Sequence, residues 1–275
     1  MKKLFTLLAL TISFSMNAQM TDNSSGTSAS GTNAVAMGDG TTASGSVSTA
    51  MGALTTASGI LSTAMGYQTT ASGYASTAMS YQTTASGNYS KAMGRETTAS
   101  ATYSTAMGND TTASDYASLV IGQYNSSGYS ATSISSFSTS APAFVIGNGV
   151  DSSNKSDAFK VMFNGDATVS NDLTVSGDVV VSSDARLKSN IVSLGSTLPK
   201  LLQIDGKSYE MKGKQKIGVL AQEIKEVFPE LVTKDDNEML AVNYQGLVPV
   251  LINALKEQQS EIDELKDLVQ SLVSK

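Results

Sequence analysis

The sequence predicts a mainly β N-terminal part, built as a solenoid of short repeats and a β-rich stalk, followed by a small α+β domain that ends in a long helix. Three observations carry this prediction. A 14-residue motif recurs from about Thr32 to Tyr124, short apolar segments separated by turn residues follow it, and apolar residues take heptad spacing from Leu247 onward.

Residues 1–18 are predicted to be a secretory signal peptide, with Lys2 and Lys3 before an apolar stretch and a small-residue cleavage site near Ala18. Residues 19–31 are rich in Ser and Gly, which predicts a flexible linker. No later segment is apolar enough to form a membrane-spanning helix, so we expect no transmembrane anchor. The chain is therefore expected to be secreted or held at the bacterial cell surface.

The repeats over 32–124 consist of two motifs that each return every 14 residues. Such a short period is typical of a solenoid whose coils stack on one another, and it leaves room for two short strands and two turns. Glycines such as Gly45, Gly52, Gly59 and Gly66 are predicted to supply the positive φ of the turns. The Thr-Thr-Ala-Ser copies begin at Thr41, Thr55, Thr69, Thr83, Thr97 and Thr111, and the Ala-Met-Gly copies begin at Ala36, Ala50, Ala64, Ala92 and Ala106, with variants at Ala78 and Val120.

Alternation along each strand predicts where the repeated side chains point. In Thr49-Ala50-Met51, Thr49 and Met51 share one face and Ala50 takes the other. We infer that Ala packs inside the narrow coil and that the Met ladder fills a contact between chains. The alternative is that Met lines the interior of its own coil. The ladder comprises Met37, Met51, Met65, Met79, Met93 and Met107.

The segments Ser48-Thr49-Ala50-Met51-Gly52 and Ala57-Ser58-Gly59 resemble the head repeats of trimeric autotransporter adhesins, the YadA-like family. The resemblance implies a homotrimeric left-handed β-roll that binds a host, matrix or cell-surface glycan or protein. That family's C-terminal membrane barrel has no counterpart in the sequence, so self-anchoring is not expected to carry over.

An ice-binding solenoid is a rival interpretation of a Thr-rich repeat. We set it aside because the arrays are Thr-Thr-Ala-Ser rather than flat Thr-x-Thr ladders, and because Tyr74, Tyr89 and Tyr103 interrupt them.

Residues 125–182 are predicted to form a β-rich stalk or transition, resembling a β-prism shared among chains. A Ser-rich irregular stretch over 125–140 opens it. Strands are expected at 143–149 and 158–163, the second leading into an Asn164-Gly165 hairpin turn. Three further short strands are expected at 167–169, 173–175 and 178–181.

Residues 183–275 have the composition of a small α+β domain, with strands expected at 207–211, 216–220, 231–233 and 239–243 and a short helix at 221–228. A long helix from Leu247 places heptad a positions at Val248, Leu255, Ile262 and Val269, and d positions at Leu251, Gln258, Leu265 and Leu272. Taken by themselves these a and d residues favour a dimeric coiled coil. The repeat resemblance favours a trimer instead, and a single amphipathic helix packed on its own domain remains the alternative.

Composition narrows the possible functions. The chain contains no Cys and no His, which excludes disulfides, thiolate metal sites and a Ser-His-Asp triad. A net charge of -6 argues against nucleic acid as a partner. No cofactor and no metal site is expected, so any catalysis must use hydroxyls, amines and carboxylates.

Ser183 and Lys188 form the candidate catalytic pair. A Ser hydroxyl needs a base, and without His the natural base is a Lys whose amine is neutral. Attack of Ser183 on the preceding carbonyl would break the bond between Ser182 and Ser183. A Ser and a Lys five residues apart are common by chance, so the spacing alone does not establish a site.

The stretch from Ser183 to Ile191 resembles the start of the intramolecular chaperone domain of phage endosialidase tailspikes, the peptidase S74 family. The segments 218–223, 228–230 and 240–244 are similar as well. The resemblance implies a trimeric chaperone that folds the upstream β-structure and then cleaves itself off, with Ser183 as nucleophile and Lys188 as general base. Asp184, Arg186 and Asn190 match the motif but receive no chemical step.

The sequence thus predicts an exported trimeric fibre or adhesin whose C-terminal domain is a single-turnover serine endopeptidase that acts on its own chain. Two alternatives remain open: a C-terminal domain that trimerises without cutting, and a phage-like tail-fibre component.

Overall fold

A computed structural model describes residues 20–21, 25–235 and 238–274. The chain divides into two compact units, with the boundary between Asp178 and Val179. The predicted signal peptide lies outside the described residues.

The N-terminal unit is a parallel β-solenoid whose larger sheet has 11 strands. Equivalent residues of successive coils pair in register, so that Ala50 lies beside Ala64 and Met51 beside Met65. The 14-residue period therefore fixes the register along the whole array. In chain order, the strands of this long-strand sheet are Met20–Thr21, Val35–Asp39, Thr49–Ala53, Thr63–Tyr67, Thr77–Tyr81, Lys91–Arg95, Thr105–Asn109, Leu119–Gln123, Pro142–Asn148, Asp157–Met162 and Ala167–Val169.

The second sheet has seven parallel strands of two residues each among the described residues, and six of them come from the Thr-Thr-Ala-Ser motifs. Met20–Thr21 and Ser28–Ala29, the first strands of the two sheets, lie within the segment expected to be a flexible linker. The strands of this short-strand sheet are Ser28–Ala29, Thr42–Ala43, Thr56–Ala57, Thr70–Ala71, Thr84–Ala85, Thr98–Ala99 and Thr112–Ala113.

The solenoid interior is narrow and filled by small side chains. Ala50 from the longer strand and Ala57 from the shorter one are both 0% exposed, as are Thr55 and Ser48 of the same array. The prediction that Ala packs inside the coil is confirmed. A core of this width buries little apolar surface for each residue it orders, so a coil gains most of its stability from stacking on its neighbours.

Each coil turns through residues with left-handed backbone conformation, and many of these are not glycine. Leu54 has φ 55° and Gln68 has φ 53°. Their N–H groups donate to carbonyls of the preceding coil, Leu54 to Asp39 at 2.8 Å and Gln68 to Ala53 at 2.9 Å. These bonds between coils offset the cost of about 1 kcal/mol or more that an L-residue meets in this conformation.

The prediction that glycines supply the positive φ of the turns is right for two of the four glycines named. Gly52 and Gly66 do have positive φ, at 117° and 121°, whereas Gly45 and Gly59 are not among the described residues with positive φ. A Cβ on Gly45 would instead lie 2.0 Å from the carbonyl oxygen of Gly59. Gly45 and Gly59 are therefore required by the close approach of stacked backbones rather than by turn conformation.

Residues 125–140 contain no helix or strand, as expected, and they cover the last coil of the short-strand sheet. Asn125 pairs with the backbone of Thr112 through both its amide oxygen and nitrogen, at 2.8 and 2.9 Å. The buried Asp115 carboxylate accepts the N–H groups of Thr132 and Ser133 at 2.6 and 2.8 Å. The loop thus satisfies backbone groups that a further coil would otherwise pair.

The expected stalk begins as a continuation of the long-strand sheet. Pro142–Asn148 pairs in parallel with the last coil and antiparallel with Asp157–Met162, and Ala167–Val169 closes the sheet after the Asn164-Gly165 turn. The strands expected at 173–175 and 178–181 are absent from the described chain. The reason is that these exposed segments find no pairing strand within one chain, and an unpaired strand has no hydrogen-bonding partner.

The C-terminal unit is a small α+β arrangement around Ile224, Phe228, Leu231 and Val250. Its two hairpins pair antiparallel. The strands are Lys207–Met211, Lys214–Gly218, Val232–Lys234 and Leu240–Val242, and the helices are Leu198–Leu201, Ala221–Val227 and Leu247–Val273, with 3-10 turns at Ala185–Leu187, Pro229–Leu231 and Tyr244–Gly246.

The long helix, Leu247–Val273, has two apolar faces. Val250 and Ala254 are each 3% exposed and pack on the helix's own unit. The heptad residues lie on another face, where Leu255 is 67% and Leu265 is 60% exposed. The single-helix interpretation therefore accounts for the first face and leaves the second without a partner among the described residues. Among the described residues, no helix is both long and apolar enough to cross a membrane.

Candidate functional site

Ser183 and Lys188 lie close together in an exposed segment of the C-terminal unit. The Lys188 Nζ donates a hydrogen bond to the Ser183 Oγ at 2.7 Å. The structure therefore brings together the two residues that the sequence singles out as nucleophile and base. Ser182 and Ser183, on either side of the candidate scissile bond, are both exposed and lie outside helices and strands.

A single 3-10 turn, Ala185–Leu187, produces this contact. Leu187 donates its N–H to the carbonyl of Asp184 at 3.1 Å, and Lys188 donates to the carbonyl of Ala185 at 3.1 Å. After the turn, Lys188 returns to extended backbone with φ −118° and ψ 145°. The reversal carries the Lys188 side chain back to the residue that precedes the turn.

The Asp184 side chain caps the turn and binds Arg186. Its Oδ1 accepts the Arg186 backbone N–H at 2.8 Å and the Nε at 3.0 Å, while its Oδ2 accepts the Nη2 at 2.7 Å. Hydrogen bonds from the Arg186 guanidinium and backbone lower the pKa of Asp184, and the same pairing raises the pKa of Arg186. Asn190 follows with φ 52°, a conformation that Asn tolerates better than most residues.

Beyond the pair, the chain is fixed to the long helix by Glu257. The Ser196 hydroxyl donates to its Oε2 at 2.7 Å, and the Thr197 N–H donates to its Oε1 at 2.5 Å. The Leu198 N–H donates to the Oε2 at 3.3 Å. Glu257 thereby accepts the free N–H groups at the start of the helix Leu198–Leu201.

Sequence reasoning missed Glu257. The pattern Thr197-Leu198-Pro199 is a recognisable helix start, because Thr is a common N-cap and Pro a common early helix residue. The acceptor comes from a position 60 residues away. A local motif could therefore indicate the helix start but not its partner.

The Met ladder lies on the outer face of the long-strand sheet. Met51, Met65 and Met93 are half-buried, and Met37 is 37% exposed. The interpretation that Met lines its own coil's interior is wrong, because Ala fills that space. A methionine ladder along the outside of a solenoid is an apolar strip that a single chain leaves partly exposed to water.

The tyrosines lie in the turns rather than among the Thr side chains. Tyr89 and Tyr103 stack with ring centroids 5.1 Å apart, and Tyr74 and Tyr116 extend this row at either end. They do not interrupt the outward-facing Thr of the short-strand sheet, so one reason for setting aside ice binding is wrong. The other reason stands, since the residues on either side of the buried Ala in the repeated motif are Thr and Ser, as in Thr42 and Ser44, rather than Thr and Thr.

Two family models match parts of the chain. Residues 183–233 match the model described as chaperone of endosialidase. The YadA head domain repeat matches at 29–55, 57–79, 85–111 and 99–125. No curated protein matches the chain. The chain thus joins an array similar to YadA head repeats to a segment similar to the chaperone of endosialidase.

Proposed function

We propose that the protein is an exported trimeric surface fibre with an adhesin-like head, and that its C-terminal domain drives trimerisation and folding before cleaving itself off between Ser182 and Ser183. The observation that carries the cleavage step is the 2.7 Å contact between Lys188 Nζ and Ser183 Oγ within the segment that matches the endosialidase chaperone. The proposal of a fibre is supported by the head repeats and by exposed apolar surfaces on the solenoid and on the long helix.

Two such surfaces support self-association. The half-buried Met ladder runs along the solenoid, and the heptad face of the long helix exposes Leu251, Leu255, Leu265 and Leu272 by 52% or more of their surface. Covering apolar strips of this length removes them from water and lowers the free energy. We propose three chains because the repeats resemble the heads of trimeric adhesins.

The cleavage chemistry uses one nucleophile and one base. The neutral Lys188 amine takes the proton of the Ser183 hydroxyl as its Oγ attacks the Ser182 carbonyl carbon. The bond from that carbon to the Ser183 nitrogen breaks, and the ammonium returns the proton to the departing amine. Water then hydrolyses the Ser182 ester, which frees the carboxylate and restores the hydroxyl.

The exposure of Ser183 and Lys188 indicates when cutting takes place. A Lys acts as a base only as a neutral amine, which burial or nearby positive charge favours. In the single chain both side chains of the pair are exposed. The proposal therefore requires that another chain covers the pair, so cutting follows assembly and the chaperone is not lost before the fibre has formed.

The remaining parts of the proposal concern location and ligand. Export rests on the signal-like sequence of residues 1–18. A surface position and a glycan or protein ligand of host, matrix or cell surface rest on the adhesin-type repeats.

The deciding experiment is intact mass analysis and gel electrophoresis of the full-length protein purified from its secreting host. Self-cleavage predicts a fragment that begins at Ser183, and Ser183→Ala, which removes the hydroxyl with little change in volume, should leave a folded and uncut oligomer. An uncut wild-type oligomer would instead support the trimerisation domain that does not cut. Cutting by Ser183→Ala would rule out the assigned nucleophile.

A further inference from the structure

We propose that Asp184 and Arg186 position the base of the cleavage site: the Asp184 carboxylate closes the turn that brings Lys188 to Ser183, and Arg186 occupies that carboxylate so that it does not capture the Lys188 amine. This inference rests on the proposed self-cleavage. It gives a physical role to two motif residues that neither contact the scissile bond nor supply a proton.

The first half of the proposal concerns the geometry of the turn. Asp184 has extended backbone, with φ −62° and ψ 134°, and its Oδ1 accepts the N–H of Arg186 in the manner of a helix N-cap. This bond fixes the start of a turn that is only three residues long and buries none of them. Since no packing holds the turn, its side-chain cap and two backbone bonds are what keep the Lys188 Nζ 2.7 Å from the Ser183 Oγ.

The second half concerns competition for the Lys188 amine. Asp184 directly follows Ser183, so its carboxylate is the acidic group nearest to the pair along the chain. An ammonium paired with a carboxylate holds its proton more tightly and is a poorer base. The guanidinium occupies both carboxylate oxygens in a fork, through Nε and Nη2, with Nη2 to Oδ2 at 2.7 Å. Such bidentate pairing is a geometry that Arg provides and Lys does not.

Substitutions can separate the effect of the Asp184 charge on the Lys188 amine from the effect of losing the cap of the turn. Arg186→Ala frees a charged carboxylate in the residue next to Ser183, which should raise the pH of half-maximal cutting. At a pH below that midpoint the rate should fall, because the fraction of neutral amine falls in proportion. Asp184→Ala/Arg186→Ala removes the competing charge, so its midpoint should return to the wild-type value while its rate stays reduced by the loss of the cap.

Two conservative variants complete the set. Asp184→Asn keeps an oxygen that can accept the Arg186 N–H, so it should retain more activity than Asp184→Ala without raising the midpoint. Arg186→Lys restores the positive charge but not the fork, and its midpoint should lie between those of wild type and Arg186→Ala. A role in turn stability alone would lower the rate in all of these variants and leave their pH midpoints unchanged.

The experiment measures cutting of the full-length chain against pH for wild type and these variants. In parallel, the Lys188 amine is titrated by NMR in the uncut Ser183→Ala background, with and without Arg186→Ala. A raised midpoint in Arg186→Ala that Asp184→Ala reverses would support the proposal, and an unchanged midpoint would overturn it.

The NMR arm separates this inference from the cleavage proposal. If wild type never cuts, self-cleavage fails. A higher titration midpoint of the amine in Arg186→Ala would then still support the shielding of Lys188, and an unchanged amine titration would overturn it.

Discussion

Thr197 donates its backbone N–H to the Glu257 carboxylate at 2.5 Å and its hydroxyl to the Val250 carbonyl at 3.0 Å. Both acceptors lie on the long helix, and Thr197 is 1% exposed. Hydrogen bonds from Ser196, from the Thr197 and Leu198 backbone and from the Thr197 hydroxyl lower the pKa of Glu257. One carboxylate thus ties the segment after the cleavage pair to the helix proposed to assemble.

The first prediction concerns Glu257→Gln. The amide has one acceptor oxygen and presents a donor where Ser196 and Leu198 also donate, so the variant should unfold at a lower temperature than wild type at pH 7. The folded-state pKa of Glu257 lies below its ordinary value of 4.5. Its stabilisation is therefore complete above that value and is lost as the pH falls through the folded pKa.

The measurement is thermal unfolding followed by circular dichroism at pH 7 and at pH 3. The difference between wild type and Glu257→Gln should shrink at the lower pH. Glu264→Gln is the matched control, since it changes an exposed glutamate at the same heptad position one repeat later. An equal loss in both variants would show that Glu257 has no special part in tying the segment to the helix.

The second prediction concerns the glycine of the Ala-Met-Gly motif. Gly52 has φ 117°, and a Cβ there would lie 2.0 Å from the Gly66 carbonyl oxygen. Gly52→Ala should therefore destabilise the solenoid by at least the 1–3 kcal/mol or so that a strained backbone costs. Gly177→Ala, where a Cβ would have open space, is the control and should leave the denaturation midpoint unchanged. A tolerated Gly52→Ala would contradict the close stacking of coils.

Ser80 allows the reverse test. It replaces glycine in its coil, with φ 99°. Ser80→Gly relieves the strained conformation but adds freedom to the unfolded chain, so a small gain in stability of no more than about 1 kcal/mol is expected. Chemical denaturation of the full-length protein gives both values. A clear loss on Ser80→Gly would show that the Ser80 side chain contributes contacts that outweigh its strain.

The repeat made the solenoid predictable from the sequence, but it did not predict the backbone conformation of the turns. Ala50 and Ala64 share a sequence position, so period and alternation together placed them in register and inside the coil. Leu54 and Gln68 take left-handed conformations that their residue types do not favour. The cause is a hydrogen bond to the preceding coil, and this cause becomes visible only when the stacking is known.

Other features were not predicted correctly because they too depend on contacts that the local sequence does not show. Val179, Val180 and Val181 look like a strand because they are β-branched, but a strand needs a partner, and propensity does not supply one. At the candidate site, spacing and family resemblance selected Ser183 and Lys188. The part of Asp184 depends on the turn it caps, and that of Glu257 on a contact 60 residues away.

The third prediction tests the Met ladder as a contact between chains. Met65→Asp/Met93→Asp places two carboxylates on the apolar outer face, and burying unpaired charge costs several kcal/mol. The double variant should lose the trimer in sedimentation. The control is Thr70→Asp/Thr98→Asp, which places the same charges in the same coils on the outer face of the other sheet. A trimer that survives the Met substitutions with unchanged melting would move the interface elsewhere.

The fourth prediction joins the long helix to the cutting reaction. Leu255 is 67% exposed and occupies a heptad a position, so Leu255→Asp should weaken assembly without disturbing the face that packs through Val250 and Ala254. Because the exposed Ser183 and Lys188 require cover from another chain, this variant should be monomeric and uncut at low protein concentration. Leu255→Pro, which also breaks the helix, should behave in the same way.

Ser260→Asp controls for the added charge, since Ser260 is exposed on the same helix outside the heptad a and d positions. It should assemble and cut as wild type does. Sedimentation and a cutting time course on the same samples provide the comparison. Because cutting is predicted to follow assembly, the rate should rise with protein concentration in the weakened Leu255→Asp variant. A monomeric chain that cuts at a rate independent of concentration would show that Ser183 and Lys188 need no partner chain.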